Sequence, residues 1–255
     1  MKVQYCSDLH LELKYNLLFV EQHEWKVTGD ILILAGDITK LYIENYKLPF
    51  FDMLSNSYEK VYWIPGNHEF YYSSDLSILD RPLKESIRSN VFLLNNVTEV
   101  IDETAFIFST LWSKIDKYPF QIKERVADFH TIRYNEDLLT VKEFNRKHEQ
   151  SLEFIKSEVE KYAAFKKVVV THHAPSLILN PKEYAKSEIN EAFVVDLTDY
   201  IEKSGIDYWM YGHIHRNTQN VTIGNTKMIT NQMGYYRNSE LECLDFDWGT
   251  FIEIN

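Results

Sequence analysis

Polar side chains that can bind a metal ion or transfer a proton follow several apolar runs of this sequence. The clearest example is the run at 62–65, which ends at Gly66-Asn67-His68-Glu69 with an amide, an imidazole and a carboxylate. Alone, this pattern is also typical of an ordinary strand-to-loop turn, because Pro-Gly is a common turn signal and Asn and His tolerate turns. Its recurrence along the chain favours a shared chemical site.

Four other predicted strands end in the same way. Asp8 and His10 follow the run at 3–7, and a two-residue spacing in extended backbone sends both side chains to the same side. The run at 208–211 is followed by a second pair with this spacing, which consists of two imidazoles. The run at 31–35 is followed by a carboxylate, and the run at 167–170 by two adjacent imidazoles. The residues that follow these three runs are Asp37, His172, His173, His213 and His215.

The ends of these runs together offer two carboxylates, one amide oxygen and four imidazoles as candidate metal ligands. These ligands are Asp8, His10, Asp37, Asn67, His172, His213 and His215. The set exceeds what one tetrahedral zinc ion needs. If one carboxylate bridges, the set suits two divalent ions with open positions for water and substrate oxygens, which is the arrangement of two-metal hydrolysis.

The elements that must position these residues alternate between strands and helices. Continuous apolar runs such as 31–35 are typical of strands covered on both faces, and their alternation with helical stretches predicts a layered α/β fold. Further strands are predicted at 91–94, 105–109, 228–229, 243–246 and 251–254, the last three without intervening helices, so hairpins should extend the core. Helices are predicted at 44–58, with a break near Pro49, at 75–88, and over an amphipathic stretch from 193 to 201 that Gly205 would end.

A long helix is predicted to open at Thr140, because Thr140-Val141-Lys142-Glu143 has capping-box spacing. Its apolar face contains His148, which we interpret as a hydrogen-bonded core residue because that is the commoner role of a histidine so placed.

The segment 113–135 has no clean period and contains several charged residues among aromatics. Long aperiodic segments inside compact domains are often functional. We expect it to fold over the metal site and to provide Arg133 for the substrate phosphate, since a guanidinium matches phosphate oxygens. The alternative is a solvated surface segment in which Arg133 forms an exposed ion pair.

Composition limits the function classes. A chain of 255 residues with 45% hydrophobic residues is expected to form one domain, 1–255. The formal charge of -11 disfavours binding to extended nucleic acid, which needs clustered cations. We expect no membrane association and a cytoplasmic location, because the sequence shows no signal-peptide pattern, no apolar run of membrane-spanning length and only two cysteines.

The ordered set of motifs resembles the calcineurin-like metallophosphoesterases. The motifs are Asp8-Leu9-His10, Gly36-Asp37, Gly66-Asn67-His68-Glu69, His172 and Gly212-His213-Ile214-His215, and they occur in the family's order. The resemblance implies a four-layer α/β/β/α sandwich of two mixed sheets flanked by helices, covering essentially the whole chain.

The resemblance also implies roles for individual residues. Asp8, His10, Asp37 and His215 would hold one divalent ion, and Asp37, Asn67, His172 and His213 the other, with Asp37 bridging. His68 would remain free of metal and assist the attack of a metal-bridging hydroxide on phosphorus. Family members place the ligand directly at the strand end, which favours His172 over His173. The ions could be Mn, Fe, Zn, Co or Ni.

The motifs indicate a branch of the family but not a substrate. The protein Ser/Thr phosphatases are disfavoured because they carry Asp-Arg-Gly shortly after the second motif, whereas Asp37 is followed here by Ile38-Thr39-Lys40-Leu41. Lipid A pathway hydrolases are disfavoured because they usually have Arg in place of His68. The chain resembles the small bacterial phosphohydrolase and phosphodiesterase branch. We therefore expect a phosphatase or phosphodiesterase acting on a small phosphorylated substrate, nucleotides included. The alternatives are a DNA-end nuclease of the same fold and a non-catalytic binding scaffold.

Overall fold

The computed structural model describes residues 1–218, 221–238 and 240–254. Within these ranges six α-helices form: α1 Lys14–Gln22, α2 Pro49–Ser57, α3 Pro119–Arg125, α4 Asp128–Thr131, α5 Val141–Lys161 and α6 Thr198–Lys203. The first seven strands are β1 Lys2–Cys6, β2 Ile31–Leu34, β3 Lys60–Trp63, β4 Leu83–Arg88, β5 Val91–Asn95, β6 Val97–Ile101 and β7 Thr104–Phe108. The other nine are β8 Arg133–Tyr134, β9 Asp137–Leu138, β10 Lys166–Val170, β11 Tyr208–Met210, β12 Val221–Ile223, β13 Thr226–Ile229, β14 Tyr236–Arg237, β15 Glu240–Leu241 and β16 Phe251–Glu253.

Two six-stranded mixed sheets carry the fold. The first has the order β16-β1-β2-β3-β5-β4, in which β1, β2, β3 and β5 are parallel and the two edge strands are antiparallel. The second has the order β12-β13-β11-β10-β7-β6, again parallel at its centre with antiparallel edge strands. The predicted hairpins therefore extend a parallel α/β core at β4–β5, β6–β7 and β12–β13, whereas β16 pairs with the distant β1.

The two sheets pack face to face through buried apolar side chains. Ile33 and Tyr62 from the first sheet share one core cluster with Phe106, Val168 and Met210 from the second. The outer face of the first sheet is covered by α2, and that of the second by α5 and α6, each through its own core cluster. This four-layer arrangement confirms the predicted fold class. That residues 1–255 form one domain stays a prediction.

The long helix α5 forms as its sequence predicts. Thr140 precedes it, and the Thr140 side chain accepts a hydrogen bond from the Glu143 N–H. His148 is buried on the inner face, where its Nδ1 lies 2.9 Å from the Trp112 carbonyl oxygen. His148 is therefore a hydrogen-bonded core residue, as interpreted from the sequence.

Two predicted elements are wrong. Residues 75–88 form a short 3-10 turn and then β4, because Pro82 interrupts helical hydrogen bonding and the following residues pair with β5. Residues 243–246 form a turn in which the Phe246 N–H donates to the Cys243 carbonyl, with Leu244 exposed to solvent. The predicted helix at 44–58 begins only at Pro49, and α1 was not predicted.

The parallel strands set the direction of every loop that carries a candidate ligand. The carboxyl ends of β1, β2 and β3 lie side by side in one sheet, as do those of β10 and β11 in the other. Loops that leave neighbouring parallel strands meet at one edge of a sheet, which is where ligands bind in open α/β folds.

Among the described residues, no helix is long and apolar enough to cross a membrane.

Candidate active site

The structure brings the candidate ligands from five strand ends into two groups. Asp8, His10 and His215 offer donor atoms that lie within 4.8 Å of one another, and Asp37, His172 and His213 form a second such group. The fourth candidate of the second group is adjacent, since the Asn67 Oδ1 lies 3.2 Å from the His172 Nε2. The sequence-derived set therefore converges on one place.

Asp37 lies between the two groups. Its Oδ2 is 3.8 Å from the His10 Nε2, and its Oδ1 is 3.3 Å from the His172 Nε2. One carboxylate thus contacts an imidazole of each group with a different oxygen. This is the position that a bridging ligand requires.

Three histidines turn the same ring nitrogen toward the centre of the site because their other nitrogen has an acceptor. The Nδ1 of His172 lies 2.9 Å from the Ala35 carbonyl oxygen. The Nδ1 of His10 is 3.1 Å from Glu12, and that of His215 is 2.6 Å from Glu242. Such outer hydrogen bonds fix the tautomer that leaves Nε2 as a free lone pair, as in metal-binding histidines.

The inward atoms are all acceptors in that tautomer, so the site needs positive charge. The Nε2 atoms of His10 and His215 are only 3.1 Å apart, and two lone pairs at this distance repel unless a cation or a proton lies between them. The His213 Nε2 is buried and has no hydrogen-bond partner within the described ranges. These donors fit divalent ions with mixed nitrogen and oxygen ligands.

The pKa values of two of the histidines agree with this demand for cations. Burial lowers the pKa of His172, but the carboxylates of Asp37, Asp8 and Glu69 together outweigh burial and raise it to about 9. Burial also opposes the charged form of His215, yet Asp8 and Glu242 raise its pKa to about 10. Both histidines therefore bind protons tightly, and a divalent ion can replace those protons because ligand imidazoles must be neutral.

The backbone at the strand ends is held in a strained conformation. Five of the candidate ligands have positive φ angles between 46° and 74°, in the left-handed region that residues other than glycine rarely adopt. They are Asp8, His10, Asp37, His213 and His215. Each such residue costs about 1–3 kcal/mol, and strain of this kind clusters at functional sites. The fold therefore gives up stability to aim these side chains.

Two glycines permit the close packing of the loops. Gly36 has a φ of +90°, and a Cβ there would collide with the His172 ring. A Cβ on Gly66 would meet both the Asp37 carboxylate and the same ring. Only glycine allows the backbone to approach the ligands this closely.

The choice between the two adjacent histidines agrees with the geometry. His172 lies in the second group, whereas the His173 ring packs 5.3 Å from the Trp112 ring and 6.0 Å from the Phe144 ring. Burial holds the pKa of His173 well below its usual value. His173 therefore supports the site as a neutral core residue, and it also contacts the His213 ring at 4.1 Å.

Glu69 connects two of the loops, although its motif alone predicts no separate role for it. Its two carboxylate oxygens accept hydrogen bonds from the backbone N–H groups of Asp37, Ile38 and Gly66 and from the Trp63 indole. Burial and the nearby Asp37 carboxylate raise the pKa of the Glu69 carboxyl to about 8, against the hydrogen bonds from Ile38 and Trp63, which lower it. Glu69 thereby ties the loop after β2 to the loop after β3.

His68 lies beside the first group and has its own carboxylate partner. Its Nδ1 is 2.9 Å from the Glu12 Oε1, the same oxygen that the His10 Nδ1 approaches. Its ring stacks on Tyr71 with centroids 4.1 Å apart, and its Nε2 is 3.4 Å from the Tyr235 hydroxyl. His10, Glu12 and His68 also form a third group of potential metal donors.

A cavity of about 500 Å³ opens beside these groups. Asp37, Asn67, His68, His213 and His215 lie on one side of its lining. Most of the rest comes from two segments, 125–128 and 180–193, and includes both apolar and amide side chains. Tyr71, Ile214, Tyr235 and Glu242 complete the lining. The Phe193 ring stacks on the His213 ring at 5.0 Å, so an apolar wall begins directly at a candidate ligand.

The aperiodic segment 113–135 reaches the cavity, but Arg133 does not line it. Arg133 is exposed on β8, and its guanidinium donates to the Glu136 carbonyl within its own hairpin. Arg125 is the arginine that lines the cavity, and it lies 3.3 Å from Glu188 in an exposed ion pair. The position of Arg133 therefore gives no support to the substrate role expected for it.

A family model for calcineurin-like phosphoesterases matches residues 1–217. The chain belongs to the calcineurin-like phosphoesterase family. All seven candidate ligands and His68 lie inside the matched region. The matched region therefore contains both donor groups, and the remaining residues contribute β12 to β16, of which β12 and β13 complete the second sheet and β16 the first.

Two known proteins are similar to this chain. The chain is 32% identical over 260 residues to Uncharacterized protein L509 of Acanthamoeba polyphaga mimivirus, with 91% of each chain covered. Among solved structures, the phosphopantetheinyl hydrolase PptH from Mycobacterium tuberculosis superposes with a TM-score of 0.65, covering 92% of this chain and 89% of that one. At 17% identity, the second comparison shows a shared fold.

Proposed function

We propose that this calcineurin-like phosphoesterase is a dinuclear metal-dependent hydrolase of small phosphomonoesters or phosphodiesters. The observation that carries the proposal is Asp37, whose two oxygens approach His10 in one donor group and His172 in the other. A carboxylate shared between two groups of inward-facing imidazoles has the chemistry of a two-ion site.

The residues present fit two divalent ions. The group of Asp8, His10 and His215 would hold one ion, and the group of Asp37, Asn67, His172 and His213 would hold the other, with Asp37 shared. When bound, such ions supply Lewis acidity toward phosphate oxygens and lower the pKa of water. Manganese is the first ion to test, although the mixed donor set also suits Fe, Zn, Co and Ni.

His68 is proposed to give a proton to the leaving oxygen. It lines the cavity beside Asp37 and is the one motif imidazole outside the two ligand groups. Burial raises the pKa of Glu12, but hydrogen bonds from His10 and His68 outweigh burial and lower it to about 2, so Glu12 is ionised at neutral pH. An ionised Glu12 at the Nδ1 of His68 favours the protonated ring and fixes its orientation.

The cavity supports a small substrate. Its volume of about 500 Å³ lies within the roughly 300–1,000 Å³ typical of pockets for small molecules. The one arginine in its lining is engaged by Glu188, and the net charge of -11 disfavours a polyanionic ligand. These features favour an ester with one phosphate group over extended nucleic acid.

A turnover assay tests the proposal. Metal-free protein would be reconstituted with Mn²⁺, Co²⁺ or Zn²⁺ and given p-nitrophenyl phosphate, bis-p-nitrophenyl phosphate or linear duplex DNA. We expect metal-dependent release of nitrophenolate by the wild type and by His130→Ala, which changes an exposed histidine, but not by Asp37→Ala. Cleavage of DNA alone would favour a nuclease, and inactivity toward all three with both ions bound would favour a binding scaffold.

A further inference from the structure

The side-chain amide of Asn67 can serve the second donor group in only one of its two orientations. Its oxygen is a metal ligand, whereas its NH₂ group repels a cation. The oxygen faces the group, 3.2 Å from the His172 Nε2. Rotation of the amide by half a turn would place the NH₂ group there, so something must hold the orientation.

The other end of the amide meets a closed triangle of hydrogen bonds. The Asn67 Nδ2 donates to the Asp128 Oδ1 at 2.9 Å and to the Tyr71 hydroxyl at 3.1 Å. The Tyr71 hydroxyl donates its own proton to the same Oδ1, at 2.6 Å. Asp128 and Tyr71 therefore present only acceptors to Asn67, and only the NH₂ end fits there.

Asp128 is itself held rigidly. It is 1% exposed and belongs to α4, which is anchored by the fully buried side chains of Phe129 and Ile132. Its Oδ1 accepts both hydrogen bonds whether or not Oδ2 carries a proton. The orientation of Asn67 is thus set by a residue from the segment 113–135, which lies outside the five motifs.

We propose that Asp128 is a positioning residue that holds the Asn67 oxygen toward the ion of the second donor group. The inference rests on the proposed two-ion site, and it assigns a purpose to the contact between the segment 113–135 and the loop after β3. A purely structural alternative exists, in which Asp128 only attaches α4 to the core through Tyr71.

A double-mutant cycle separates these roles. Asp128→Asn, Asn67→Asp and the double variant would be stripped of metal and titrated with Co²⁺ at pH 8, where free carboxylates are ionised. In the wild-type background, Asp128→Asn offers an NH₂ group that competes for the Asn67 oxygen. We expect the affinity of the second site to fall by about 10–100-fold, the usual loss when a partner of a metal ligand is removed.

The sign of the effect should reverse in the Asn67→Asp background. In the Asn67→Asp variant, Asp128 faces a second carboxylate, at position 67. In the double variant, the amide at position 128 can donate a hydrogen bond to that carboxylate. The same Asp128→Asn change should therefore raise Co²⁺ affinity, and the Co²⁺ absorption spectrum would report the donor set independently of turnover. A loss of affinity in both backgrounds, or no change in either, would overturn the proposal.

Two controls keep the test decisive. Circular dichroism of the metal-free variants checks folding, and Tyr71→Phe replaces Asp128→Asn if that variant does not fold. Tyr71→Phe removes one acceptor but leaves the direct Asn67 to Asp128 bond, so we expect a smaller loss, below about 10-fold. A larger loss than that would assign the orientation to Tyr71 instead. Wild-type protein that binds fewer than two ions would refute the proposed function, which is a separate outcome.

Discussion

Replacing His68 by alanine tests the catalytic part of the proposed function. The His68 side chain is 16% exposed at the cavity, bonded to Glu12 on one side and stacked on Tyr71 on the other. The substitution removes the imidazole while leaving both donor groups intact. We therefore expect turnover to fall while the content of bound metal stays close to that of the wild type.

The size of the loss should depend on the leaving group. General acid catalysis contributes typically ~10²–10⁴-fold, and an alkoxide leaving group needs the full proton transfer. Nitrophenolate leaves with little protonation, so the loss for aryl esters should be well below ~10²-fold. The expected result is a steeper dependence of kcat/KM on the leaving-group pKa in His68→Ala than in the wild type.

The assay compares alkyl and aryl phosphate esters with the same metal loading, measured by elemental analysis. His130→Ala is the matched control, because His130 is exposed and its Nε2 lies 3.1 Å from the Glu124 carbonyl oxygen. Equal losses for both ester types would refute proton donation and indicate that His68 positions the phosphate. Loss of an ion would show that His10, Glu12 and His68 bind metal as a group.

Two further predictions concern stability. Asp80→Asn should lower the free energy of unfolding by about 1–3 kcal/mol, because the Lys147 side chain, which is 2% exposed, loses its partner at 2.6 Å. This cost is smaller than that of breaking a fully buried pair, because the Asp80 side chain is 38% exposed. In denaturant titrations Asp52→Asn, which breaks the exposed pair with Arg88, should cost only ~0–1 kcal/mol, and equal losses would contradict this interpretation. Burial lowers the pKa of His148, so the unfolded chain binds a proton that the folded chain excludes, and stability should be full above about pH 6.5 and decline below it. His148→Gln should weaken that decline in urea titrations from about pH 7 to about pH 5, and an identical pH profile would contradict a neutral buried imidazole.

Much of the site could be predicted from the sequence because its residues directly follow strands with an unambiguous pattern. The run at 31–35 is apolar throughout, and the end of such a strand fixes where Asp37 must lie. The spacing of His213 and His215 likewise places both on one loop. At these positions the local sequence pattern and the fold indicate the same strand ends, so the pattern alone was enough to locate the ligands.

The errors arose where tertiary pairing overrides local pattern. Leu83 and Ile87 are spaced as on a helix face, yet the segment pairs with β5 as an edge strand of the first sheet. The helix α1 could not be predicted because Leu13 precedes it without a side-chain cap, and a helix without a capping residue gives no start signal.

The supporting residues of the site could not be found from spacing. Glu12 and Glu242 contact ligand histidines, but they lie in stretches with no recognisable motif. Asp128 meets Asn67 across 61 positions of the chain. Such contacts depend on how loops from different strands fold over one another. The expectation for Arg133 failed to gain support for the same reason, since a loop's position does not reveal which side chains face inward.

Metal stoichiometry tests the central claim most directly. Reconstituted wild-type protein should bind two divalent ions per chain by elemental analysis, and His215→Ala and His213→Ala should each retain one, because each removes a ligand from a different group. Asp37→Ala should weaken both sites, since it removes the shared carboxylate. A wild-type stoichiometry that never exceeds one ion, with both donor groups intact, would contradict the two-ion site.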